Sequence, residues 1–149
     1  MAKIVNTKEY LDMVCQLLAE GHTRIPVPVT GSSMVPFLHN GDMVYLDLPD
    51  TPLKRGDIVL YTRPGGRYVL HRIIRVCGDG SFVLLGDAQQ ERERVENASR
   101  IHARVSEAVH KGRRTGPGDL RWKLFATVWI WVRPWRGKLM KLLGKRKNR

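Results

Sequence analysis

The fold that this chain of 149 residues predicts is a small, curled, mainly antiparallel β-domain with one helix before it and a basic amphipathic helical tail after it. Three observations predict it. Residues 7–20 carry apolar side chains at helical spacing. Between residues 24 and 110, short β-branched and aromatic runs recur at intervals of about ten residues, separated by glycine-rich turns. Residues 120–149 then change character, with every tryptophan of the chain, ten Lys/Arg and no Asp or Glu. These shifts divide the chain into an N-terminal helix (1–23), a β-domain (24–110), a linker rich in glycine and basic residues (111–119) and the tail (120–149).

The elements follow in order. Tyr10, Leu11, Val14, Leu17 and Leu18 form the apolar face of the first helix, Asn6 is placed to cap it, and Gly21 to end it. Val27 and Val29 lead into the turn-forming run Thr30-Gly31-Ser32-Ser33. Strands are expected at 43–48, 57–62, 68–76 and 81–85, with a last one at 101–109. Pro64-Gly65-Gly66 and Gly78-Asp79-Gly80 supply hairpin turns. Gly41-Asp42, Gly56-Asp57 and Gly86-Asp87 mark strand ends, and Asp42 and Asp57 are expected as turn residues.

With 42% hydrophobic and 27% charged residues, the chain is no disordered polymer. Its formal charge of +12 implies an anionic partner, but the distribution narrows the choice. Of the 26 Lys/Arg, ten lie in the tail, which leaves 16 basic against 14 acidic residues in 1–119. A nearly neutral body has no nucleic-acid footprint, and none is expected as partner. Cys15 and Cys77 lie far apart and outside any C-x-x-C, so no disulfide or zinc site is indicated and two buried free thiols are expected. His22, His39, His102 and His110 belong to no motif, and no metal is expected. Lys8, Glu9, Asp12 and Glu20 interrupt the N-terminal segment, which leaves no h-region for a cleavable secretory signal.

Two segments carry potential chemistry. In Gly31-Ser32-Ser33-Met34-Val35-Pro36 a serine sits between a permissive glycine and a rigid proline, a backbone able to present a hydroxyl and aim nearby N–H groups at one point. Serine needs an adjacent base to act as a nucleophile. In Tyr68-Val69-Leu70-His71-Arg72-Ile73, strand alternation puts Val69, His71 and Ile73 on one face, where a desolvated imidazole stays neutral and fit to accept a proton. The plain alternatives are a simple turn and a core histidine. Arg72 alternates to the opposite face and is expected to pair with an acid.

The ordered landmarks Gly31-x-Ser33-Met34-x-Pro36, Gly41-Asp42, Gly56-Asp57-Ile58-Val59, His71-Arg72 and Gly86-Asp87 resemble the signal peptidase and LexA-like serine peptidases over residues 24–109. Most of that superfamily pairs serine with lysine. Histidine followed by arginine is similar to the Ser–His branch of type I signal peptidases found in the endoplasmic reticulum, archaea and sporulating bacteria. The resemblance implies a LexA/signal peptidase-type fold, Ser33 as nucleophile and His71 as general base. It implies that the Ser33 N–H contributes to an oxyanion hole in a nucleophile turn shaped by Gly31, Met34 and Pro36. It also implies Asp87 as the acid that orients His71. There the chain departs from the family pattern, reading Asp87-Ala88-Gln89-Gln90-Glu91-Arg92-Glu93 where asparagines and a second aspartate are usual. Glu91 and Glu93 are more distant candidates whose expected role is surface charge.

The apolar run 124–132 is nine residues long and followed by Arg133-Pro134, against about 20 residues for a spanning helix. Tryptophans among aliphatic and basic residues instead suit an in-plane interfacial helix on anionic lipid. Packing of the tryptophans on the body, or a protein or nucleic-acid partner for the tail, are the rival readings. The expected function is a serine endopeptidase, without cofactor, that removes a signal or leader peptide from a precursor at a membrane surface. It would be held there peripherally, on a face left open. The usual N-terminal anchor is not seen and the basic tail favours the cytoplasmic face, so a dedicated leader fits better than an ordinary secretory signal. An inactive peptidase-like binding module is the alternative. A LexA-like self-cleaving regulator is a weaker one, since no Ala-Gly or Cys-Gly precedes Ser33.

Overall fold

A computed structural model describes residues 7–132 together with residues 135, 138, 141 and 142. Helix α1 (Thr7–Ala19) buries Leu11, Val14 and Leu18, spaced three and four residues apart so that one stripe faces the body. It ends as the sequence predicts. Gly21 adopts φ +100°, its N–H bonds to the Leu18 carbonyl at 3.1 Å, and the His22 N–H bonds to the Leu17 carbonyl at 3.0 Å, a Schellman closure. The cap expected from Asn6 lies outside the described residues.

Eight strands follow, all paired antiparallel: β1 (Ile25–Pro28), β2 (Met43–Asp47), β3 (Ile58–Thr62), β4 (Tyr68–Val76), β5 (Phe82–Leu85), β6 (Glu93–Val95), β7 (Ile101–His110) and β8 (Arg113–Thr115). Their order is β1-β2-β7-β3-β4-β5-β6, with β8 pairing onto the end of β7. The last long strand thus inserts between β2 and β3 and stitches the two halves of the chain into one sheet. That path is open, with β1 and β6 at its two ends, so the sheet is uncurled where the sequence predicts a curled one. β6 and β8 fall where no strand is expected from sequence, β8 inside the stretch read as linker. Each is three residues long with two polar or charged residues or more, too short and too polar to show a period.

Strand β3 shows why the site has a wall on each side. Ile58 and Leu60 join the larger core under α1, whereas Val59 and Tyr61 join a second core with Ile73, Phe82 and Leu84. A strand buried on both faces carries apolar side chains without alternation, as Ile-Val-Leu-Tyr does. Asp42 and Asp57 act as turn residues. Their carboxylates accept from the His39 N–H at 2.8 Å and the Lys54 N–H at 2.9 Å. Cys15 and Cys77 are free as expected, though half-buried rather than buried.

The tail begins as helix α2 (Leu120–Trp131), and its first three turns pack on the body. Trp122 is buried and meets the Phe37 ring edge-on at 5.3 Å, and Ile130 is buried beside Ile74 and Leu85. No helix among the described residues is long and apolar enough to cross a membrane. Where α2 crosses the loop before β3, Gly56 has φ +96°, and a Cβ there would stand 2.7 Å from that of Ala126. Gly56→Ala is therefore expected to cost about 2–4 kcal/mol, from left-handed strain and overpacking together. Urea unfolding followed by tryptophan fluorescence checks this; an unchanged midpoint would mean that α2 is not seated on Gly56.

Candidate active site

The segment between β1 and β2 is a closed loop. Val29 bonds to Asp42 and Gly41 through both its backbone groups, at 2.7 and 2.9 Å, and the Gly31 N–H bonds to the Asn40 side chain at 3.1 Å. Gly31 needs its flexibility here, with φ +84°. Met34, Phe37 and Leu38 are buried, and they root the turn in the core while Ser33, between exposed Ser32 and buried Met34, is half-buried. Gly31 and Met34 thus shape and anchor the turn, and the Gly31 N–H is already committed to Asn40.

His71 lies on β4 with 1% of its surface exposed, on the face shared with Val69 and Ile73. The β3–β4 hairpin pairs Val59 with His71 and Val69 with Tyr61, which makes Tyr61 the diagonal neighbour of His71. The Tyr61 oxygen is 3.2 Å from His71 Nδ1 and 2.7 Å from Glu93 Oε2. A phenol has one proton, and Glu93, ionised, only accepts. Tyr61 therefore donates to Glu93 and accepts from His71 Nδ1–H, which leaves Nε2 with its lone pair free of the proton. Arg63 completes the chain by donating to both Glu93 oxygens.

The electrostatics agree with this assignment. Burial pushes the His71 imidazole down to about 4, partly opposed by the Glu93 charge, so it is neutral over the physiological range. Hydrogen bonding from Arg63 holds Glu93 below the ordinary carboxylate range. Burial, followed by the bond to Glu93, pushes the Tyr61 phenol up, and it stays protonated.

Gly86 brings the two candidates together. A Cβ at this position would lie 2.6 Å from the Ser33 carbonyl oxygen and 3.1 Å from His71 Nε2, so both stand around one point that only glycine leaves open. The Ala88 N–H holds the same Ser33 carbonyl at 2.9 Å. Ser33 and His71 line one cleft of about 680 Å³ with an apolar floor of Leu11, Val44, Leu46 and Leu60. Arg63, Arg67 and Tyr68 lie along its β3–β4 side.

Asp87 does not take the place expected of it. Its two oxygens accept from Arg72 Nε and Nη2, each at 2.9 Å, and both side chains are almost wholly buried. The reason is the strand period: Arg72 and His71 point to opposite faces of β4, and Asp87 lies on the arginine side. A carboxylate removed from water takes a permanent countercharge before a neutral imidazole. The place beside His71 Nδ1 is taken by Tyr61 and behind it Glu93, which is not the surface charge expected of it. Glu91 has no such position in the site. The hairpin turn at Pro64-Gly65-Gly66 held the signal for Tyr61, since it sets the register that places residue 61 diagonal to residue 71.

Comparison with known proteins gave one match by family and none among curated proteins or solved structures. The model of the Peptidase S24-like family matches residues 2–105, which covers α1, the serine loop, the histidine strand and half of β7. With a mainly antiparallel β-sheet and a serine and a histidine meeting in its cleft, the chain belongs to the Peptidase S24-like family.

Proposed function

We propose that this chain is a serine endopeptidase that removes a signal or leader peptide from a precursor at a membrane surface, in the manner of the Ser–His signal peptidases. The observation that carries the reading is the meeting of the Ser33 backbone and the unprotonated Nε2 of His71 around Gly86 in one cleft. In the proposed reaction the Ser33 hydroxyl attacks the scissile carbonyl and its proton passes to Nε2. The imidazolium then keeps Nδ1–H on Tyr61, whose own proton leans toward the Glu93 carboxylate, so negative charge backs the developing positive charge. The same proton leaves with the amine, and water releases the acyl group by the reverse route. The Ser33 N–H is proposed as a donor to the oxyanion.

The membrane part of the reading draws on α2. Leu120, Leu124, Val128 and Trp131 are exposed, and their spacing of four, four and three residues sets them in one stripe opposite the packed face. Lys123 flanks this stripe, and the tail around it is basic throughout. An apolar stripe rimmed with positive charge fits anionic lipid headgroups with the acyl boundary beneath them.

Three outcomes follow. Ser33→Ala and His71→Ala are each expected to reduce cleavage of a leader-peptide panel by about 10⁴-fold or more, read by mass spectrometry, in protein that remains folded; Tyr61→Phe is expected to lower kcat by about 10–100-fold with KM little changed. Folded Ser33→Ala protein that still cuts would sink the assignment, and wild type that binds leaders without cutting them would favour the inactive module. The second concerns pH. Catalysis needs neutral His71, so kcat/KM falls as pH drops through about 4 rather than through the ordinary histidine value of about 6.5. An acid limb near 6.5 would mean that the acting base is not this buried imidazole. Third, the protein is expected to sediment with phosphatidylglycerol vesicles and not with phosphatidylcholine. Leu124→Glu with Val128→Glu should weaken that binding at least about tenfold, and equal binding to both lipids would overturn the docking face.

A further inference from the structure

Three residues that share no sequence motif come together at the exit of the serine loop. The antiparallel register pairs Met43 of β2 with Val109 of β7, which sets Asp42, just before β2, beside His110, the last residue of β7. Asp42 Oδ1 lies 2.5 Å from His110 Nδ1, and Oδ2 accepts from the His39 N–H at 2.8 Å. The His39 and His110 rings lie 4.8 Å apart and tilted by 32°. One ligand atom from each of the three side chains falls within 4.8 Å of the other two.

We propose that His39, Asp42 and His110 bind a divalent transition-metal ion of the zinc class, which clips the loop bearing Ser33 to strand β7. The donor set is two imidazoles and one carboxylate, the borderline nitrogen and oxygen ligands that zinc and cobalt take and that calcium or magnesium do not favour. Tetrahedral zinc holds such atoms at bonds of about 2.0–2.2 Å, hence roughly 3.5 Å from one another, so the widest gap closes and the 2.5 Å contact of Asp42 with His110 opens as the imidazoles rotate. Asp42 is already oriented by the His39 backbone N–H, the kind of outer bond that fixes a metal-ligating carboxylate. The charge balance points the same way. Asp42 is buried, and among the described residues its ion-pair partner is His110. A buried carboxylate needs positive charge beside it, which a bound dication supplies. The His110 side chain is 29% exposed, which gives the ion an entry path and leaves a fourth position for water.

The site is separate from the proposed peptidase chemistry. Its effect is mechanical: Asn40 holds Gly31, Asp42 and Gly41 hold Val29, and a metal ion on His39 and Asp42 fixes that closure to β7. Metal binding is thus folding free energy delivered to the loop that carries Ser33.

Cobalt titration of the untagged full chain, stripped with a chelator and held at about pH 7.5 where an ordinary histidine is neutral, tests this without reference to activity. One equivalent of Co²⁺ is expected to develop visible bands of low-coordinate cobalt that Zn²⁺ displaces. His39→Ala and His110→Ala should each weaken binding by about a hundredfold or more, beyond the roughly 10–100-fold that loss of an outer partner costs. Zn²⁺ should raise the thermal unfolding midpoint of wild type and of a His22→Ala control, and not of the two variants. His110→Gln, which keeps a hydrogen-bonding side chain beside Asp42, gives a second reading should the alanine variants unfold. Absent bands, equal affinity in folded variants, or bands lost only on changing His71 or Cys15 would overturn the site.

Discussion

The buried pair of Arg72 and Asp87 ties together four separate segments of the molecule. Besides its two bonds to Asp87, Arg72 donates from Nη1 to the Gly56 carbonyl at 2.9 Å, and its guanidinium lies 5.1 Å from the centre of the Phe37 ring. The Asp87 carbonyl accepts from the Trp129 indole at 2.9 Å. The loop before β3, the serine loop, the segment after β5 and helix α2 therefore all meet at one ion pair on β4. Such a pair adds little net stability over an apolar packing of the same shape, but removing one partner strands a charge and costs about 3–5 kcal/mol. What the pair supplies is position: Asp87 fixed on Arg72 sets Gly86 against His71 and Ala88 against the Ser33 carbonyl.

Adjacent residues of β4 thus solve opposite electrostatic problems. Arg72 is charged and fully buried, so it needs an acid at contact distance. His71 is equally buried but neutral, and its acid stands one phenol away. An Asp87 carboxylate facing His71 directly would raise the imidazole's affinity for a proton. In the proposed reaction the Tyr61 spacer keeps enough of the Glu93 field to steady an imidazolium in passing. It also links to stability. His71 has a folded pKa of about 4 against about 6.5 when unfolded, so its contribution is present above about 6.5 and lost as pH falls toward 4.

Much of this was legible in the chain because it is local. Helical spacing gave α1, alternation put His71 and Arg72 on opposite faces, and turn glycines bounded the hairpins. The landmark residues singled out the serine loop before any geometry was known. The misses are long-range. Asp87 was assigned by its place in a motif, whereas its partner was decided by which face of β4 the incoming loop covers. Tyr61 and Glu93 are 32 residues apart, and Asp42 and His110 are 68 apart. Only the insertion of β7 between β2 and β3 brings the second pair together, and no spacing rule reaches that far. The tail reads as one amphipathic unit because its charge is uniform; its first three turns are apolar on two opposite sides, one packed on the body and one exposed, with Arg121, Lys123 and Thr127 between them.

That double-faced helix places a constraint on how the proposed docking surface and the site relate. Trp122 and Phe125 pack on Phe37, Arg121 donates to the Pro36 and Phe37 carbonyls at 3.2 and 3.3 Å, and Trp129 reaches the Asp87 carbonyl. These are the two segments that flank Ser33 and His71. The outer stripe is carried by the same twelve residues, within one helix diameter of that inner face. A helix is stiff along its axis and across its width, so whatever holds the outer stripe also fixes the inner contacts. The serine loop is then clasped at its centre by α2 and at its exit by the Asp42 cluster. A short, largely exposed turn such as that bearing Ser33 is entropically costly to hold in one geometry. Two independent clasps on buried neighbours are how this chain holds it without relying on the turn itself.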